Sequence, residues 1–161
     1  MAIKAGDKMP EGSFTHMTKD GPQKISTEQL FGGKTVVLFS VPGAFTPTCD
    51  AKHLPGFVEL AAQIKAKGVD TIAVTGVNDV FVFDAWKKST GAGNKIEFLS
   101  DGNADFAKAL DLTLDGSGVG LGTRSKRYAM LVEDGVVKKL NVEDAAGKAE
   151  ASSADALLKQ I

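Results

Sequence analysis

The sequence predicts one α/β domain spanning residues 1–161, with a mixed central sheet, helices on both faces, and a C-terminal β-hairpin and helix. Three observations predict it. Apolar runs of strand length alternate with segments of helical period through most of the chain. Near the C-terminus two apolar runs flank the turn dipeptide Asp134-Gly135, the pattern of a hairpin. A chain of 161 residues, 43% apolar and 24% charged, is long enough to bury a core without metals or disulfides.

Residues 1–12 are polar and expected to lie over the surface. Ser13-Phe14-Thr15-His16-Met17 is expected to form a short edge strand, with His16 exposed on it, and Lys19-Asp20-Gly21-Pro22 a turn. Residues 26–31 resemble a capped helical turn stopped by Gly32-Gly33. Thr35-Val36-Val37-Leu38-Phe39-Ser40 is continuously apolar, as befits a central strand covered on both faces. A helix follows over 47–66, its buried stripe Phe57, Leu60, Ala61 and Ile64. Lys65 and Lys67 suit its end, and Gly68 the position beyond. Pro55 removes an N–H and should bend this helix near Ala51.

Residues 70–75 form a second buried strand. Asn78 is expected to cap a helix carrying Val80, Phe83 and Trp86. Residues 95–100 are a third strand, followed by a short helix ending near Leu110. Residues 115–122 are Gly-rich and expected to be loose. The spacing of glycines at 116, 118, 120 and 122 follows no strand and opens no helix, which argues against a dinucleotide loop. Strands over 128–133 and 136–142 make the hairpin. A helix over 149–161, with Leu157, Leu158 and Ile161 inward, closes the chain. Phe45, Phe81, Phe83 and Leu121 are expected mostly in the core.

A net charge of -1 with both signs dispersed argues against nucleic acid and membrane surfaces as partners. No apolar run approaches the ~20 residues of a membrane span, and the N-terminus lacks an apolar signal core. A cytoplasmic location is the expectation. One cysteine permits neither an intrachain disulfide nor a Cys-rich zinc site.

That cysteine ends the stretch Val41-Pro42-Gly43-Ala44-Phe45-Thr46-Pro47-Thr48-Cys49, between the apolar strand and the helix. Thr46 before Pro47 is an N-cap with proline at the first helical position. Cys49 is then the third helical residue, beside N–H groups that lack intrahelical partners. Those groups and the helix dipole favour an anion, and a thiolate is the reactive form of cysteine. The placement favours a reactive Cys49 over an inert core thiol. Cys-x-x-Cys chemistry is excluded, and the proline that thioredoxins carry before a late strand is missing, since the last proline is Pro55.

Pro42-x-x-x-Thr46-x-x-Cys49 resembles the peroxiredoxin active-site signature. With His53-Leu54-Pro55-Gly56-Phe57, the longer run from Pro42 is similar to the atypical peroxiredoxin-five, or type II, group. The resemblance continues through Gly76-Val77-Asn78-Asp79, Lys126-Arg127-Tyr128 and Asp134-Gly135. It implies a thioredoxin-like fold and a thiol-dependent peroxidase that uses no cofactor and no metal. Cys49 would attack a hydroperoxide oxygen, leaving water or alcohol and a sulfenic acid. Thr46 Oγ1 would accept from or donate to the peroxide while capping the helix. The Cys49 N–H would hold the peroxide near the sulfur. Pro42 would shield the sulfur, and Arg127 would stabilise both thiolate and leaving oxygen. Arg124 is the rival arginine; Arg127 is preferred because it directly precedes the apolar strand, leaving Arg124 a supporting place. The resemblance also implies a homodimer, with some of the aromatic residues at its interface.

The chain departs from many type II members in having no second, resolving cysteine; residues 149–153 are small or polar. The sulfenic acid must therefore meet an outside thiol: glutathione with or without glutaredoxin is favoured, thioredoxin less so. His53, four residues after Cys49, is on the same helix face, where a polar or dimer contact is favoured over a metal. Competing readings are a non-enzymatic thioredoxin-fold interaction or chaperone module, and a cysteine hydrolase, for which only two histidines are available as base.

Overall fold

A computed structural model describes residues 2–161. The run Thr35–Ser40 forms β3, parallel to β4 (Thr71–Gly76) and antiparallel to β8 (Tyr128–Glu133). Successive strand side chains alternate between faces, so a continuous apolar run feeds two cores. Val37 and Phe39 face Cys49, Phe57, Ile64 and Trp86. Val36 and Leu38 face Phe14, Phe106, Leu110 and Met130. The remaining strands of this sheet are β1 (Ser13–Thr18), β2 (Gly21–Ser26), β5 (Glu97–Ser100) and β9 (Val136–Val142), giving the order β2-β1-β5-β4-β3-β8-β9. The helices are α1 (Thr27–Phe31), α2 (Leu54–Lys65), α3 (Val80–Thr90), α4 (Asp105–Leu110) and α5 (Ala154–Leu158). Among the described residues no helix is long and apolar enough to cross a membrane.

β1 is not the edge strand that the sequence suggests. β2 pairs with it from Ser13↔Ser26 to Thr18↔Gly21 and takes the edge. Its Pro22, Gln23 and Lys24 hide it from an apolar pattern search, yet proline and lysine are tolerated where one strand side faces water. His16 is half-buried within β1. At α1 the Ser26 hydroxyl and Gln29 side chain form a capping box.

The helix expected over 47–66 begins at Pro47 but is not uniform. A π turn spans Cys49–His53, with the Leu54 N–H bonded to the Cys49 carbonyl, and α2 follows. Pro55 offers no N–H to Ala51, and the widened turn lies where that bond is missing. The side chain of Asp79, not Asn78, caps α3 by accepting from Val82 N at 2.8 Å. Residues 115–122 are tethered rather than loose. They join β6 (Thr113–Asp115) to its antiparallel partner β7 (Thr123–Ser125), and Gly116 N donates to Gly122 O at 2.7 Å. The β8–β9 turn places Asp134 (φ 47°) and Gly135 (φ 78°) in the left-handed region, as a two-residue hairpin requires. The last helix starts only after its cap Ser153. Leu157 is buried, while Leu158 and Ile161 are partly buried against the same core. Phe83 is buried, but Phe45 and Phe81 are exposed and Leu121 is half-exposed.

Candidate active site

The antiparallel pair Ser40↔Tyr128 brings the exit of β3 beside the entry of β8. The loop after Ser40 and the residue before Tyr128 therefore meet at one end of the sheet. That places Cys49, at the start of the π turn, against Arg127. Arg127 Nη2 donates to Cys49 Sγ at 3.0 Å. Its Nη1 donates to His53 Nδ1 at 3.0 Å, and Nε and Nη2 donate to the Ala146 carbonyl at 3.3 and 3.0 Å. Cys49 is 0% and Arg127 2% exposed. A guanidinium taken this far from water needs its donors satisfied, and these contacts fix its plane.

His53 is 1% exposed, with Phe39 and Phe57 edge-on at ring-centroid distances of 5.1 and 5.5 Å. Its Nε2 lies 2.9 Å from the Ser152 carbonyl. A carbonyl only accepts, so Nε2 carries the proton and Nδ1 is free to accept from Arg127. Burial first, and the Arg127 charge second, push the His53 pKa down to about 3; the ring is neutral at physiological pH. With both nitrogens engaged, His53 makes the polar contact expected of it. Among the described residues, no three His, Cys, Asp or Glu side chains gather to hold a metal.

Behind His53, Glu143 Oε2 accepts from Ser152 N and Ser152 Oγ, each at 2.6 Å. Burial works against the Glu143 carboxylate, but the Ser152 bonds and neighbouring backbone N–H groups hold its pKa below the ordinary value. The Glu143 N–H donates to the Arg127 carbonyl at 2.9 Å.

Pro42 is buried just past β3. Arg124 does not reach the sulfur in this arrangement: its Nε donates to Leu121 O at 2.8 Å, and its Nη1 lies 3.4 Å from Pro42 O. Thr46 corrects an expectation. Its hydroxyl donates to Gly43 O at 2.6 Å, so the side chain braces the loop instead of capping a helical N–H. The helix still starts there through the backbone, with Asp50 N donating to Thr46 O at 2.9 Å. Gly43 permits this packing, since a Cβ there would lie 2.9 Å from Thr46 Cγ2. Phe45 has φ 63°, an uncommon conformation for a bulky residue.

Asn78 belongs to the site, although the sequence pattern suggests a helix cap. Its Oδ1 accepts from Ala44 N at 2.9 Å and ties the loop to β4's end. No motif singles out Glu143 or Ser152. Hairpin pairing gives a partial signal for Glu143. Counting back from the turn without a bulge would pair Arg127 with Val142. The shift between Leu131 and Val132 instead pairs Tyr128 with Val142 and brings Glu143 alongside Arg127. Ser152 has no sequence signal, because its role uses its backbone as much as its hydroxyl.

A mixed sheet with helices on both faces, carrying a buried cysteine at a helix start against an arginine, defines a thiol oxidoreductase of thioredoxin-like fold. The Redoxin family model matches residues 4–158. Peroxiredoxin-2E-2, chloroplastic, of Oryza sativa subsp. japonica is 49% identical, covering 99% of this chain and 72% of that protein. Peroxiredoxin-2B of Arabidopsis thaliana is 44% identical, covering 99% of this chain and 98% of the relative. The crystal structure of reduced Prx3 in complex with H2O2 from Vibrio vulnificus superposes with a TM-score of 0.93 at 49% identity, covering 98% of each chain. The chain belongs to the peroxiredoxin family and is a thiol-dependent peroxidase.

Proposed function

We propose that Cys49 reduces hydrogen peroxide and alkyl hydroperoxides through a thiolate that becomes a sulfenic acid, and that an external thiol recycles it. The contact of Arg127 Nη2 with Cys49 Sγ at 3.0 Å carries the first half. A buried guanidinium in contact with sulfur favours a sulfur anion and offers an N–H to charge developing on oxygen. The thiolate attacks one peroxide oxygen; the O–O bond breaks, and the other oxygen leaves as water or alcohol after taking a proton. Thr46 Oγ1 donates to Gly43 O, which leaves its lone pairs to accept from the peroxide O–H. Pro42 screens the sulfur from water.

The second half rests on Cys49 being the one cysteine in the chain. A first outside thiol displaces water from the sulfenic acid and forms a mixed disulfide; a second releases the Cys49 thiolate. Glutathione with or without glutaredoxin is favoured over thioredoxin, because no internal disulfide forms for a dithiol reductant to open. Since Cys49 is 0% exposed, this reduction needs the π turn to open. Phe45 is 49% and Phe81 65% exposed, which supports a homodimer contact near the active-site loop; sedimentation at micromolar concentration tests it.

A steady-state assay of hydroperoxide consumption against glutathione, glutathione with glutaredoxin, and thioredoxin decides the reductant. Turnover with glutathione or glutaredoxin, lost in Cys49→Ser, is expected. Turnover with thioredoxin alone would overturn the choice of reductant. Oxidation of Cys49 no faster than a free thiol would overturn the peroxidatic role.

A further inference from the structure

Four hydrogen-bonded links begin and end on Arg127. Its carbonyl accepts from Glu143 N at 2.9 Å. The Glu143 carboxylate accepts from Ser152 N and Oγ, both at 2.6 Å. The Ser152 carbonyl faces His53 Nε2 at 2.9 Å, and His53 Nδ1 faces Arg127 Nη1 at 3.0 Å. Glu143, Ser152 and His53 are 8%, 0% and 1% exposed, so water does not readily substitute for a missing link. The circuit ties the backbone of Arg127 to its own guanidinium through three separate parts of the chain.

We propose that Glu143 and Ser152 are positioning residues for peroxide reduction, holding His53 as its Nε2–H tautomer and thereby aiming Arg127 at Cys49. This rests on the peroxidatic reading of the Cys49–Arg127 pair. The physical reason is directional. Two donors on one residue, bonded to one carboxylate oxygen, fix the backbone of Ser152 and so the aim of its carbonyl. That carbonyl demands a proton on Nε2. The tautomer then makes Nδ1 an acceptor for Arg127 N–H; the opposite tautomer would set N–H against N–H and turn the guanidinium away from sulfur. The Phe39 and Phe57 rings set the plane of the imidazole but not its tautomer. Burial of the neutral ring keeps protonation from overriding the choice.

The test combines stopped-flow oxidation by hydrogen peroxide with nitrogen-15 NMR of the imidazoles, His16 serving as the internal comparison. In the wild type, His53 is expected to show a single Nε2–H tautomer. Glu143→Ala should give a tautomer mixture and slow oxidation about tenfold, as expected for misaiming one charge-assisted donor. Glu143→Gln keeps an oxygen acceptor for Ser152 and should recover most of the rate and the single tautomer. Ser152→Ala removes only the hydroxyl link and serves if Glu143→Ala fails to fold; about a threefold loss is expected. Oxidation within twofold of wild type in both folded alanine variants would overturn the proposal. A rate loss with an unchanged His53 tautomer and no recovery in Glu143→Gln would overturn it too, because it marks a structural role alone. If wild-type Cys49 itself reacted like a free thiol, the peroxidatic reading would fall while the NMR result still judged the circuit.

Discussion

Arg127→Ala is the most informative single substitution. The Arg127 guanidinium makes four hydrogen bonds in this site: one to Cys49 Sγ, one to His53 Nδ1 and two to Ala146 O. The bond to sulfur bears directly on chemistry. Loss of one preorganised donor aimed at developing charge costs about 3 kcal/mol, or roughly a hundredfold in rate. The other contacts bear on stability. Buried His53 Nδ1 would lose its donor, at about 1–3 kcal/mol, whereas the carbonyl of exposed Ala146 can turn to water; no longer burying a cation offsets part of the loss. Arg127→Lys keeps a positive charge but not the fork that reaches sulfur, His53 and Ala146 together; it should recover about tenfold of the loss. Arg124→Ala releases Leu121 O and Pro42 O without touching sulfur, and should slow oxidation by less than about fivefold. The assay is stopped-flow tryptophan fluorescence during hydrogen peroxide addition, at a temperature where every variant is folded. Trp86 is the one tryptophan, and its Nε1 donates to Asp50 next to Cys49 at 2.8 Å. Equal losses in Arg124→Ala and Arg127→Ala, or a loss under threefold in Arg127→Ala, would refute the reasoning.

Two further predictions follow from the residues around this pair. His53 is buried neutral, with its pKa pushed from 6.5 down to about 3. The unfolded chain takes up a proton below about pH 6.5 and the folded one does not, so this group removes stability as pH falls. The loss between pH 6.5 and 5 should be about 1.5 kcal/mol. It should appear as the difference between wild type and His53→Gln in urea melts, and a pH-independent difference would contradict it. Asn78→Ala leaves Ala44 N without its acceptor; about 1 kcal/mol of stability should be lost. The loosened loop should slow peroxide reaction several-fold, so an unchanged rate constant would show that the Asn78 bond does not organise the site.

The local elements that set the scene were legible because the determinants are local. Thr35–Ser40 is apolar at every position from 36 to 39, which suits a strand covered on both faces. Thr46-Pro47 starts the helix, and Asp134-Gly135 forms the two-residue turn. Where local pattern failed, a tertiary fact had replaced it. β2 is polar because its open side faces water at the sheet edge. The Thr46 hydroxyl chose the Gly43 carbonyl over a helical N–H because the tight approach at Gly43 puts that carbonyl within 2.6 Å. Asn78 left the cap to Asp79 and took up Ala44.

Sequence alone identifies the candidate nucleophile and its setting: one cysteine, three residues after Thr46, in the first turn of the helix that follows a central strand. It also determined that no second cysteine of the chain is available to that sulfur. What surrounds Cys49 is set by the folded chain. The Ser40↔Tyr128 pairing carries Arg127 across the sheet, and the shift between Leu131 and Val132 brings Glu143, not Val142, alongside it. Ser152 and His53 then meet 99 positions apart. Contacts at that separation depend on strand register and backbone direction, which no local run of residues specifies.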